Sequence, residues 1–347
     1  MELSSGTAIV TGAAGGIGAE VARRLAAEGM SLVLADIDAA RLDTLRSSLA
    51  DAGARVVAVD GDVAEPGHHE DLVAAAEGLD GLRLSVLNAG VSLPGLAWEE
   101  PLEQWELTVG VNFWGVIHGL RAALSTMVPA DDGWVVAVSS GAGLVATPGL
   151  APYVATKHAV NGALEATHHE LARIGSSVGV SVVCPGSIAT ASEDRPPMAG
   201  LDASGGSQYP AVLSDIQETT ARGVLEGADP STVSDAIVQG VSEERFWLLP
   251  QPELAWAATD RVRRLAGLVG AGPDWHAEVL AELGLLHLVT QAGLRIGRLD
   301  GPLADAVATA SGWQVRQADV LAGVPDTDEW FVAGRSDVRE DRIEVRR

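Results

Sequence analysis

Apolar and polar positions follow two rhythms along this chain. Short apolar runs recur at SGTAIVT (5–11), SLVLAD (31–36), ARVVAVD (54–60), LRLSVLNAG (82–90), GWVVAVSS (133–140) and VGVSVVCPG (178–186). Segments with apolar residues at helical spacing lie between them, as with Val21, Ala22, Leu25 and Ala26. Unbroken apolar runs of this length suit strands buried on both faces, and a 3.6-residue period suits amphipathic helices. Helices are predicted after the first run and at 39–52, 66–78, 102–128 and 153–174. Two more, at 215–226 and 230–242, precede a seventh strand at RFWLLP (245–250). Strand and helix alternate six times. The expected fold is therefore α/β, a Rossmann-like doubly wound parallel sheet of about seven strands with helices on both faces.

Polar candidates gather at the carboxyl ends of the predicted strands, where open parallel sheets bind ligands. The first strand runs into a glycine turn, Gly12, Gly15, Gly16, Ile17 and Gly18, that opens a helix. Strand, glycine turn and helix together place backbone N–H groups against a phosphate. The Gly-x-x-x-Gly-x-Gly spacing differs from the commoner Gly-x-Gly-x-x-Gly fingerprint. Asp36 ends the second strand, eighteen residues past Gly18. An acid there accepts from the ribose hydroxyls of NAD and repels a 2′-phosphate. Asp62, beside Val63, could bond an adenine amino group or simply cap the next helix. Asn88, Ala89 and Gly90 end the fourth strand, and Asn112 lies within the apolar stretch VGVNFWGVI. The pairs His68–His69 and His168–His169 are adjacent on helices and face different directions, so no metal site is expected.

Tyr153 and Lys157 lie one helical turn apart. Lys157 is the only lysine among 347 residues, and Tyr153 is one of two tyrosines. Arginine meets every other need for basic charge, and a lysine differs from it in being a compact, rotatable ammonium. Placed beside a phenol, that ammonium is expected to pull the phenol's pKa from about 10 toward neutrality and make it a usable acid or base.

Composition narrows the picture further. The net charge of −24 disfavours nucleic acid and anionic membrane as partners. No apolar run approaches the roughly 20 residues of a spanning helix. No signal peptide is apparent at the N-terminus, and a single cysteine, Cys184, fits a reducing compartment. A cytoplasmic protein is expected.

Together these motifs resemble the short-chain dehydrogenase/reductase family over about residues 5–270: TGAAGGIG (11–18), Asp62-Val63, NAG (88–90), Asn112, Ser140, YVATK (153–157) and PGSIAT (185–190). The resemblance implies hydride transfer at nicotinamide between a secondary alcohol and a ketone. Tyr153 would exchange the substrate proton, and Lys157 would tune it and hold the nicotinamide ribose. Ser140 would polarise the substrate oxygen, and Asn112 would hold a water of a proton relay. Pro185, Gly186, Ile188 and Thr190 would meet the nicotinamide end. An acid at Asp36 goes with NAD rather than NADP in this family. Relatives often form homodimers or homotetramers through the helices corresponding to 102–128 and 153–174. Other readings are an NAD-binding sensor or scaffold without turnover, and a dehydratase or epimerase on the same fold.

A long loop at 191–215 borders the ligand edge. Its Met198 and Tyr209, with Leu93, Leu96, Leu144 and Leu150, form an apolar rim that suggests a hydrophobic substrate. A domain of residues 1–272 is expected, with a C-terminal extension of 273–347. The extension reads as a small α+β appendage: helices at 274–297 and 302–311, and strands at 313–321 and 329–335.

Overall fold

The computed structural model describes residues 1–190 and 207–255, with short segments at 258–259, 261–262, 295–297, 313–318 and 329–335. The chain forms two compact units, Met1–Pro250 and Gln251–Arg347.

In the first unit, strands and helices alternate in chain order. They are β1 (Thr7–Thr11), α1 (Gly16–Glu28), β2 (Ser31–Asp36), α2 (Ala39–Asp51), β3 (Val56–Asp60), α3 (Pro66–Glu77) and β4 (Leu82–Leu87). There follow α4 (Leu102–Val109), α5 (Gly115–Ala130), β5 (Trp134–Val138), α6 (Ala151–Ile174) and β6 (Gly179–Val183). The unit ends with α7 (Pro210–Glu226), α8 (Ser231–Ser242) and β7 (Trp247–Leu248). The seven strands form one parallel sheet in the order β3-β2-β1-β4-β5-β6-β7. The order reverses between β1 and β4, and the carboxyl ends on either side of that point frame a crevice.

Burial on both faces explains the unbroken apolar strands. On one face, Val10, Leu32, Leu34, Leu84 and Val86 join Leu25 of α1, Leu42, Leu45 and Leu49 of α2, and Val233, Ile237 and Val241 of α8. Helices α3, α5 and α6 pack on the sheet or on one another at the other face, with Leu72, Met127, Val160 and Leu164 fully buried.

Three departures from the sequence pattern stand out in this unit. The helix expected over 102–128 is two helices joined by a π turn, Gly110–Trp114. The helix expected from 215 starts at Pro210, whose ring sets the φ of a first helical turn. The seventh strand shrinks to two residues, because only Trp247 and Leu248 pair with β6.

The second unit contributes a three-stranded antiparallel sheet ordered β8-β10-β9, of β8 (Arg295–Gly297), β9 (Trp313–Ala318) and β10 (Glu329–Arg335). Strands expected near 313 and 329 are present. Residues 295–297 form a strand where the apolar stripe had predicted helix; they pair with 329–331, a long-range partner that a local period does not register. The boundary expected near 272, the helix expected at 302–311 and the rest of the 274–297 helix lie outside the described residues.

Candidate active site

The glycine turn is built by its own backbone and by β4. Gly12 and Gly16 adopt φ of +66° and +53°, a region that strains other residues. A Cβ on Gly12 would come within 2.8 Å of Ala89 Cα and 2.9 Å of Asn88 Nδ2. One on Gly18 would collide with the Gly12 carbonyl oxygen. Asn88 donates from Nδ2 to the carbonyls of Thr11 (3.0 Å) and Gly12 (3.1 Å). Thr11 Oγ1 accepts in return from the N–H groups of Asn88 (3.0 Å) and Ala89 (3.2 Å). So Asn88 shapes the turn through its amide. Helix α1 then opens from Gly15, an N-cap that makes no side-chain hydrogen bond among the described residues, which suits the helix's first N–H groups to an anion.

Asp36 is tied to this turn. Its Oδ2 accepts from the Ala14 N–H (2.9 Å) and its Oδ1 from the Asp38 N–H (3.0 Å). Each oxygen keeps a further lone pair for a ribose hydroxyl. Asp60 stands level with Asp36 on the neighbouring strand, and Arg41, at α2, pairs with Asp38. Asp62 is exposed and accepts from the Ala64 N–H (2.9 Å), which closes a turn ahead of α3; the N-cap of that helix is Glu65, so Asp62 does not take the capping role. Val63 is buried, and its carbonyl accepts from His69 Nε2 (3.0 Å).

Across the switch point the π turn carries Asn112, which is fully buried. Its Oδ1 accepts from the Val91 N–H (2.7 Å) and its Nδ2 donates to the Val91 carbonyl (2.8 Å). The side chain is thus committed to pinning the loop after Gly90. A relay water would therefore have to bond elsewhere than this two-way pair. A Cβ on Gly90 would stand 3.3 Å from Asn112 Oδ1 and 3.7 Å from Lys157 Nζ, so the three residues meet at one point.

Ser140 follows β5 in extended backbone and caps a short 3₁₀ turn, Gly141–Gly143, by accepting from the Ala142 N–H (3.1 Å). Tyr153 sits in the first turn of α6, and its phenol is hydrogen-bonded to the Ser140 side chain. Lys157 is 3% exposed; its Nζ donates to the Val138 carbonyl (2.7 Å) and lies 5.5 Å from the centre of the Tyr153 ring. Burial lowers the Lys157 pKa to about 8. The Tyr153 pKa moves the other way from that expected. Burial raises it, and the Ser140 hydrogen bond opposes the rise. Desolvation of a phenolate outweighs an ammonium that is itself desolvated and turned to a carbonyl.

The exit of β6 closes the site. The Pro185 carbonyl accepts from the Gly141 N–H (2.7 Å), Ile188 bridges to Ala228, and the Thr190 N–H donates to the Val224 carbonyl (3.1 Å). A Cβ on Gly16 would meet the Thr190 side chain at 3.1 Å, so this segment lies over the glycine turn.

At the apolar rim, Leu96, Leu144 and Leu150 are buried and Leu93 partly so. The Gly95 N–H donates to the Gly149 carbonyl (2.9 Å), which stitches the 91–101 loop to the approach to α6. Tyr209 is half-exposed, its ring edge-on to Trp98 at 6.1 Å. Glu99 accepts from Ser207 Oγ (2.6 Å) and the Gln208 N–H (3.1 Å), anchoring the chain ahead of α7. Met198 and residues 191–206 of the expected loop lie outside the described residues. Sequence pattern did not single out Thr11 or Val91. Thr11 opens the TGAAGGIG run; Val91 bonds through its backbone and carries no side-chain signal.

These parts suit a nicotinamide dinucleotide: a glycine turn with no Cβ in the way, the first N–H groups of a helix, and an acid held at the ribose position. Comparison with known proteins agrees. The family model described as short chain dehydrogenase matches residues 6–196. A second model, a SWIM-associated four-helix bundle domain, matches residues 255–311, a span that includes β8. The chain is 31% identical over 275 residues to a CLA biosynthesis dehydrogenase/reductase of Lactiplantibacillus plantarum, covering 77% of this chain and 94% of that protein. It is 36% identical over 194 residues to 1-deoxy-11-beta-hydroxypentalenate dehydrogenase of Streptomyces avermitilis, covering 55% and 71%. A short chain dehydrogenase/reductase from Burkholderia phymatum, solved in complex with NAD, superposes with a TM-score of 0.71 at 30% identity, covering 78% and 97%.

Proposed function

The chain belongs to the short-chain dehydrogenase/reductase family, and from that premise we propose that it interconverts a secondary alcohol and a ketone on a hydrophobic small molecule, with NAD as its cofactor. At the coarser level it is an NAD(P)-dependent oxidoreductase acting on CH–OH groups. The observation that carries the proposal is the Ser140–Tyr153 hydrogen bond, with Lys157 buried beneath it at the edge that also holds the glycine turn.

When bound, NAD accepts or returns the hydride of the reacting carbon. The protein's own part is the proton. Ser140 holds the substrate oxygen beside the Tyr153 phenol. The raised pKa keeps that phenol protonated at neutral pH, the form needed to donate to a ketone oxygen. In the oxidative direction the phenolate takes the alcohol proton. Reduction is therefore expected to fall, and oxidation to rise, as pH climbs through the Tyr153 pKa.

Support for NAD over NADP comes from the carboxylates Asp36, Asp38, Asp60 and Asp62 at the ends of β2 and β3, which a 2′-phosphate would face. Support for a hydrophobic substrate comes from Leu93, Leu96, Leu144 and Leu150. Pairing of two copies through α4, α5 and α6 belongs to the same reading; it would cover Leu107 and Trp114, each about half-exposed. Sedimentation velocity tests it, and a monomer at micromolar concentration would exclude it.

The main test is NAD(H) turnover on cyclohexanol, 1-phenylethanol, 2-octanol and the matching ketones. Tyr153→Phe removes the exchangeable proton and little else. It is expected to cut turnover by at least about a hundredfold. Equal activity in the two proteins would sink the mechanism.

A further inference from the structure

Behind Ser140 and Tyr153 lies a buried polar layer that the proton chemistry above does not use. Asn161 sits one helical turn beyond Lys157 on α6 and is 6% exposed. Its Nδ2 donates to the Gly143 carbonyl at 3.0 Å. Gly143 belongs to the turn that Ser140 caps, and its N–H donates to the Ser140 carbonyl (2.9 Å). That turn rests directly on the helix. A Cβ on Gly143 would stand 2.7 Å from Ser139 Oγ, 2.8 Å from Asn161 Nδ2 and 2.8 Å from the Lys157 carbonyl oxygen. Ser139 Oγ in turn donates to the Lys157 carbonyl (3.2 Å). The Cys184 sulfur is held by Ser139, the Ser140 backbone and Asn161. It is fully buried and marks where strand end, turn and helix meet.

One detail shows that the amide is more than filler. Among the described residues Asn161 Oδ1 is buried with no hydrogen-bond partner, which is a cost that a leucine of similar volume would avoid. The residue therefore carries a penalty whose only visible return is the grip of Nδ2 on Gly143 and its contact with Cys184. We propose that Asn161 is a positioning residue: it pins the Gly141–Gly143 turn to α6 and thereby sets the hydrogen bond between Ser140 and Tyr153. This rests on the reading that the Ser140–Tyr153 pair handles the substrate proton. Asn161 touches neither substrate nor cofactor in this scheme; it acts through Ser140.

The scarcity of tyrosine allows a test that needs no substrate. With tyrosine labelled at ¹³Cζ the full-length protein shows two phenol signals, and Tyr209→Phe assigns the one from Tyr153. Asn161→Leu is expected to move the Tyr153 signal and delay its ionisation to higher pH, because the Ser140 hydrogen bond that favours the ionised phenol is loosened. The Tyr209 signal stays in place, and NAD affinity, read by tryptophan fluorescence, changes less than twofold. Gly143→Ala attacks the same contact from the turn and is expected to shift the same signal in the same direction. It supplies the answer should the leucine variant fail to fold. A folded Asn161→Leu protein with an unmoved Tyr153 signal and an unchanged titration would overturn the proposal. A parallel loss of NAD affinity would overturn it too, since general loosening would then account for the effect. Should the wild type turn over no alcohol or ketone, the assigned reaction fails, while the phenol signal still decides whether Asn161 sets the Ser140–Tyr153 contact.

Discussion

Lys157 is the chain's only lysine, and it is buried with the Val138 carbonyl as the one hydrogen-bond acceptor of its Nζ among the described residues. Its pKa falls from 10.5 to about 8 through desolvation, so its charge is a burden on the folded state. The sign follows from proton counting. Below pH 8 both states carry the proton, and the native state bears the full penalty of the buried charge. Between pH 8 and 10.5 the unfolded state binds more protons, so stability rises with pH through this residue. Lys157→Met should then be the more stable protein at pH 7. The gain is on the order of 3 kcal/mol at most, less what the Val138 carbonyl loses. That gap should narrow toward pH 10.5 in urea midpoints, while turnover is lost at every pH. A gap independent of pH would mean that the Lys157 pKa is the same in the native and unfolded states. Asp36 makes the second residue-scale prediction. Removing it in Asp36→Ala takes away the charge that opposes a 2′-phosphate and should shift the NADP/NAD ratio of kcat/KM upward at least about tenfold. An unchanged ratio would show that Asp36 does not face the ribose. Single residues of this kind were legible beforehand because composition isolates them: one lysine, two tyrosines, one acid ending a strand. The direction of the Tyr153 shift was not legible, since it depends on burial that no spacing encodes.

Elements decide how those residues meet. The glycine turn works because β1, α1 and β4 approach within contact distance, and Gly18 is its tightest point. Gly18→Ala would drive a methyl into the Gly12 carbonyl oxygen and the Asn88 amide. It is expected to weaken NAD binding at least about tenfold by fluorescence titration and to cost roughly 1–3 kcal/mol of stability. Wild-type affinity in the variant would show that the turn can open freely. The π turn is the contrasting case. Periodicity reads 102–128 as one helix because apolar residues recur on both sides of the interruption. Yet Gly110–Trp114 winds one residue wider, and its Asn112 reaches Val91 with both polar atoms. A π turn inside a helix commonly marks a functional site, and here it holds the backbone beside Gly90 and Lys157. Nothing in the local pattern distinguishes such a turn from regular helix, because Val91 is its partner only through the fold.

At the scale of the molecule, charge is the dominant compositional fact. A net charge of −24 sets up self-repulsion that compactness increases. Raising salt from low ionic strength to about 0.2 M screens it over roughly a Debye length and is expected to raise the melting temperature. A falling melting temperature would show that paired surface charges outweigh the net repulsion. The fold class followed from the sequence directly, because a sheet covered on both faces needs apolar runs of strand length spaced by amphipathic helices. The candidate residues were also singled out from the sequence: the glycine turn, Asp36 and Ser140 at strand ends, Lys157 one helical turn from Tyr153, and Asn112 as a polar residue within an apolar stretch. The tertiary structure alone decided what those residues touch: that the Asn112 side chain is committed to Val91, that Asn88 shapes the glycine turn, that Asn161 grips the Ser140 turn, and that the phenol's pKa rises. The reason is physical. Strand and helix follow from periods a few residues long, but hydrogen-bond partners and desolvation arise between segments tens of residues apart, brought together only when the sheet orders β1 beside β4 and lays α6 across its edge.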